Sequence, residues 1–92
     1  MTLERRIREN LMVTLAPTRL DVINESHLHA GHASSPGTGQ SHFRVLVVSP
    51  AFRGQSRVAR HRMVNDALAA ELRDGVHALA IKALAPGEPL EG

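Results

Sequence analysis

Six histidines stand in a chain of 92 residues that contains no cysteine. Neutral imidazole binds zinc, copper and iron well, so the histidines are the side chains best suited to metal chemistry, and any thiolate must come from another molecule. Their positions separate them. His27, His29 and His32 crowd into His-Leu-His-Ala-Gly-His, which runs on into Pro36, Gly37 and Gly39. That composition predicts a loop over residues 26–41 and allows two readings, a small zinc or copper site or a solvated loop. His77 follows Gly75-Val76 at the expected start of a strand, where a ligand would ride on a rigid element. Its plain alternative is a strand-end histidine satisfied by a backbone carbonyl. His42, at a strand entrance, reads as structural, and His61, inside a helix, as a hydrogen-bonding or surface residue. Ser26, Ser41 and Ser56 have no recognisable His/Asp relay, so no enzyme is expected.

The second group with chemical potential is basic. Net charge is only +2, yet ten of the eleven basic residues are arginine, and Arg53, Arg57, Arg60 and Arg62 fall within ten positions. Guanidinium groups at that density suit phosphate or carboxylate, and the alternative is a solvated helix end with local ion pairs. Phe43 and Phe52 are the only aromatic residues. Stacking platforms for single-stranded nucleic acid are therefore poorly supplied.

Length and periodicity supply the frame for these groups. One small domain is expected over residues 1–85, with residues 86–92 as a flexible tail. No apolar run reaches the roughly 18 residues that a membrane span needs, and Glu4 and Glu9 argue against a transit peptide, so a cytoplasmic protein is expected. Leu3, Ile7, Leu11 and Leu15 predict a first helix that starts at Thr2 and ends before Pro17. Alternation over Thr18 to Glu25 predicts a half-buried strand. His42 to Ser49 is apolar on both faces, which suits a central strand. Ser56 stands as an N-cap for a long helix through Val64, Leu68 and Leu72 to about Arg73, and Asp74-Gly75 stops it. A third strand is expected from Val76 to Leu84. The order describes an α+β sandwich, a three-stranded mixed sheet with helices on one face.

One stretch carries a more specific signal. Phe52, Gly54, Ser56, Arg57, Arg60, His61, Arg62 and Val64 fall at the spacings of an F-x-G-x-S-R-x-x-R-H-R-x-V signature, followed by Leu68, Glu71, Leu72 and Val76-His77-Ala78-Leu79. Upstream, Asn24-Glu25-Ser26 precedes the histidine loop and Ser41-His42-Phe43-Arg44-Val45 opens the hydrophobic strand. Over residues 3–84 the chain resembles the BolA family, whose fold is similar to class II KH domains. The resemblance implies a protein that is a monomer alone and forms a heterodimer with a monothiol glutaredoxin, sharing a [2Fe–2S] cluster and glutathione supplied through that partner. It also implies that His77 is a cluster ligand and that a second ligand comes from the loop, at His29, with His27 or His32 as substitutes. Imidazole in place of thiolate reduces the negative charge on such a cluster. Some BolA-like proteins are DNA-binding regulators, and here that role would use Arg53, Arg57, Arg60 and Arg62. Against nucleic-acid recognition, Gly54-Gln55-Ser56-Arg57 lacks the second glycine of the KH clamp, so any DNA binding should be weak.

Overall fold

Thr2 opens the first helix by accepting the Arg5 backbone N–H on its hydroxyl at 3.2 Å, and α1 follows over Leu3–Leu15. In the computed structural model, which describes residues 2–25 and 42–89, the stripe of Ile7, Leu11 and Leu15 is buried. Arg5–Glu9 and Arg8–Glu4 pairs lie on the exposed side. The helix stops at Ala16, whose φ of 43° is left-handed and whose N–H reaches the Met12 carbonyl. Pro17 follows and has no N–H with which to continue.

The sheet is built around its middle strand. β1 (Arg19–Asn24) pairs antiparallel with β2 (His42–Val48), from Arg19 opposite Val48 to Asn24 opposite Phe43. β2 pairs in parallel with β3 (Ala78–Leu84), from His42 opposite Ala78 to Val48 opposite Leu84. The strand order is β1-β2-β3, so β2 is central, as its two apolar faces require. Phe43, Val45 and Val47 point into the core with Val22, while Ile23 remains half exposed on the other face.

Ser49 ties the end of the sheet to α1. It is fully buried, donates to the Leu15 carbonyl at 2.6 Å and accepts the Ala51 N–H at 3.1 Å. A short 3₁₀ turn, Pro50–Phe52, then drops Phe52 into the core. Ser56 caps α2 (Arg57–Ala67) by accepting the Ala59 N–H at 3.1 Å.

Three expectations are corrected here. The long helix is broken at Leu68, whose ψ of 18° leaves α-helical geometry, and α3 (Ala69–Asp74) resumes beyond it. The break lets Leu68 stay buried while α3 turns Glu71 toward α1; Asn65 and Asp66, weak helix formers, lead into it. β3 begins at Ala78 rather than Val76, because the parallel ladder has its first rung where β2 begins, at His42. The first part of the expected flexible tail is held, since Glu88 is anchored to Arg60 and to the Ala85 N–H; residues 90–92 of that tail lie outside the described residues. Among the described residues, no helix is long and apolar enough to cross a membrane.

Candidate functional site

His77 reaches its position through a turn that only glycine fits well. Gly75 has a φ of 154°, and a Cβ there would lie 3.3 Å from Leu3 Cδ1. The N–H groups of Gly75 and Val76 both donate to the Glu71 carbonyl at 3.1 Å, and Val76 is buried. The backbone entering His77 is therefore fixed while the imidazole is exposed, and it makes no hydrogen bond or ion pair with a described residue. The backbone-carbonyl partner that the plain alternative requires is not found among those residues.

The sheet register explains what else meets His77. Ala78 pairs with His42, and the Glu25 N–H donates to the His42 carbonyl at 2.8 Å. Both ends of the segment 26–41 thus emerge at the sheet end where His77 stands. His27, His29 and His32 lie in that segment, outside the described residues. His42 is partly buried and engaged within the structure, as a structural residue should be. Among the described residues, no three metal-ligating side chains converge. An imidazole donor from the turn before β3 and one from the loop would supply half of the four protein or thiol ligands that a [2Fe–2S] cluster requires. The donor set fits a shared cluster better than one held by this chain alone.

Beneath the turn lies an ionic group that sequence reasoning missed. Glu71 is only 2 % exposed; it accepts from Asn10 Nδ2 at 2.7 Å and pairs with Arg6 Nη2 at 2.9 Å. Arg6 also donates to Asp74 at 2.8 Å, and that hydrogen bond holds the Asp74 carboxyl below its ordinary range. These contacts fasten α3, and with it the Gly75 turn, onto α1. A signal was present, because Glu71 stands three residues after Leu68 and seven after Val64, on an otherwise apolar stripe.

The basic cluster divides. Arg60 spans Glu88 in a bidentate pair at 2.6 and 3.0 Å, donates to the carbonyls of Gln55 and Ala83, and lies 6.0 Å from the centre of the Phe52 ring. It is a structural clasp. Arg53, Arg57 and Arg62 are exposed, with no acidic partner among the described residues. His61 lies beside Arg57 and Arg62 along a shallow groove on α2. Lys82 and Arg57 also line a larger groove of about 650 Å³ that crosses the sheet from Asp21 and Ile23 on β1 to Ala80–Leu84 on β3, which sequence reasoning did not anticipate.

The clasp has a pH signature. The Arg60 hydrogen bonds, helped by the Ala85 N–H, lower the Glu88 carboxyl from an ordinary 4.5 to about 2. A carboxyl held low in the fold stabilises it fully above the unfolded value, and that contribution drains away as pH falls toward the folded value. The Ala85 amide should accordingly remain protected from hydrogen exchange at pH 5 and lose protection between about pH 4.5 and 2. A side-chain NMR titration of Glu88 with its midpoint near 4.5 would show that the clasp does not form in solution.

Comparisons with known proteins agree with this architecture. The family model for BolA-like protein matches residues 11–88. An uncharacterized protein in the cobS 5′ region of a Sinorhizobium species is 56% identical, over 97% of both chains. Human BolA-like protein 1 is 49% identical over 92% of this chain, which spans 59% of that protein. SufE-like protein 1 of Arabidopsis thaliana is 47% identical over 90% of this chain, which spans only 24% of it. Among solved structures, BolA1 from Arabidopsis thaliana superposes with a TM-score of 0.83 at 41% identity, covering 94% of each chain. The BolA domain of SufE1 from the same plant does so at 0.82 and 45%, again over 94% of each. The helix order, the mixed three-stranded sheet and the matched sequence together place this chain in the BolA family.

Proposed function

We propose that this protein is a non-enzymatic iron–sulfur adaptor, which pairs with a monothiol glutaredoxin and shares with it a glutathione-ligated [2Fe–2S] cluster. One observation carries the reading: the imidazole of His77, exposed and bonded to no described residue, stands on a fixed turn at the sheet end where the histidine-bearing segment begins and ends. His77 would supply one nitrogen and His29 the second, with His27 or His32 able to replace His29. The glutaredoxin and its glutathione would supply thiolate sulfur, which a chain without cysteine cannot. The occurrence of this domain within a SufE-like relative supports a role in iron–sulfur handling.

The test is reconstitution under anaerobic conditions. The purified chain with iron, sulfide and glutathione should stay colourless. Addition of a monothiol glutaredoxin should give a red-brown [2Fe–2S] chromophore that elutes with a one-to-one heterodimer. A stable cluster on this chain alone, or no heterodimer with the glutaredoxin, would sink the proposal.

A further inference from the structure

We infer that the outer edge of β3 is a docking edge for an extended acidic segment of a partner protein, which adds to the sheet as a fourth strand. The inference is independent of the cluster reading, since it concerns the backbone of β3 and the basic flank of α2 rather than the histidines.

The edge itself comes first. β3 is the outermost strand, and no described strand lies beyond it. Backbone groups alternate in direction along a strand. The Leu84 carbonyl accepts the Ser49 N–H, so Leu84, Lys82, Ala80 and Ala78 turn their backbone inward to β2, while Ala83, Ile81 and Leu79 turn theirs outward. Of these outward groups, the Ala83 carbonyl is covered by Arg60 Nη1 at 3.1 Å, and the Arg60–Glu88 clasp closes that end. Leu79 and Ile81 have no such cover among the described residues. Edge strands are usually blunted by charges, bulges or a covering element; among the described residues, cover of this one is confined to its Ala83 end.

The charge around the edge decides what fits. Seven arginines pair with carboxylates: Arg5, Arg6, Arg8, Arg19, Arg44, Arg60 and Arg73. The remaining basic residues, Arg53, Arg57, Arg62 and Lys82, have no acidic partner among the described residues, and all but Lys82 belong to the segment that starts α2. Arg57 and Lys82 line a groove of about 650 Å³ that runs from Asp21 and Ile23 of β1 over Arg44 and Leu46 of β2 to Ala80–Leu84, and reaches the β3 edge beside Arg57 and Arg60. Asp21, the acid that lines it, is already held by Arg19 at 3.2 Å. The free charge of the groove is positive, so it complements carboxylates. A peptide is favoured over nucleic acid for two reasons. Phe43 and Phe52 are both buried, so no aromatic ring is available to stack a base, and an open strand edge offers the ladder that a peptide backbone can match.

The experiment uses the full chain, isotope-labelled, and a synthetic heptapeptide of alternating glutamate and valine. At about 50 mM salt the peptide should shift the Leu79 and Ile81 amide resonances and slow their hydrogen exchange. The same peptide N-methylated on alternate amides should lose these effects. The double variant Arg57→Glu/Lys82→Glu should weaken binding roughly tenfold, the effect of removing two exposed ion pairs. Several results would overturn the inference: no binding at millimolar peptide, equal binding of the N-methylated peptide, or equal displacement of the Ile81 signal by a seven-nucleotide oligothymidylate. So would concentration-dependent shifts of the same amides without peptide, which would mean that a second copy of this chain takes the edge.

Discussion

Replacing His77 by alanine should abolish the chromophore formed with a monothiol glutaredoxin and leave the fold of this chain intact. The side chain is exposed and bonds to no described residue, so its loss removes no packing and orphans no buried group. The thermal midpoint should stay within about 1–2 °C, because surface changes of this kind lie within about 0.5 kcal/mol. The cluster, in contrast, loses a ligand held on fixed backbone, and His42, the other described histidine at that sheet end, is partly buried and already engaged. His29→Ala should weaken the chromophore less, since His27 or His32 lies in the same segment. Absorption and circular dichroism of the reconstituted heterodimer read both effects. An unchanged spectrum for His77→Ala would remove His77 from the site; equal loss from both single variants would reject substitution within the loop.

What could be read from residues alone follows from where the signal is local. The Thr2 and Ser56 caps, the Leu3–Leu15 stripe and the central place of β2 are each set by a few neighbouring side chains, and the structure has all of them. The break at Leu68 was not legible, because helical spacing continues through Val64, Leu68 and Leu72; only the long-range contacts of Glu71 with Arg6 and Asn10 show why α3 swings toward α1. The division of the arginine cluster was hidden for the same reason. Arg60 looks like Arg57 in sequence, and only the arrival of Glu88 from 28 positions away makes it a clasp. The register that brings His77 beside the ends of residues 26–41 is likewise a product of the parallel pairing of β2 with β3.

The largest stability effect is expected at Glu71, where alanine should cost about 3 kcal/mol. Breaking a buried ion pair costs roughly 3–5 kcal/mol, and the low end applies because Arg6 is partly exposed and keeps Asp74 as a partner. Asn10 loses its acceptor as well, in a part-buried setting. For a domain whose total stability is on the order of 5–14 kcal/mol, that is a large fraction, and the urea midpoint should fall by about 2 M. Asp74→Asn should cost less than about 1 kcal/mol, since that carboxylate is well exposed and its pair is solvent-screened. Glu71→Gln keeps the size and an acceptor for Asn10 while removing the charge, so it should fall between the two. A Glu71→Ala midpoint within about 0.3 M of the parent would show that the ionic group is not what fastens α3 to α1. The same variants bear on the site, because the Glu71 backbone carbonyl anchors the amides of Gly75 and Val76. Glu71→Gln should remain folded at 25 °C, so any weakening of the shared cluster in that variant would report a turn that has loosened beneath His77, not a missing ligand.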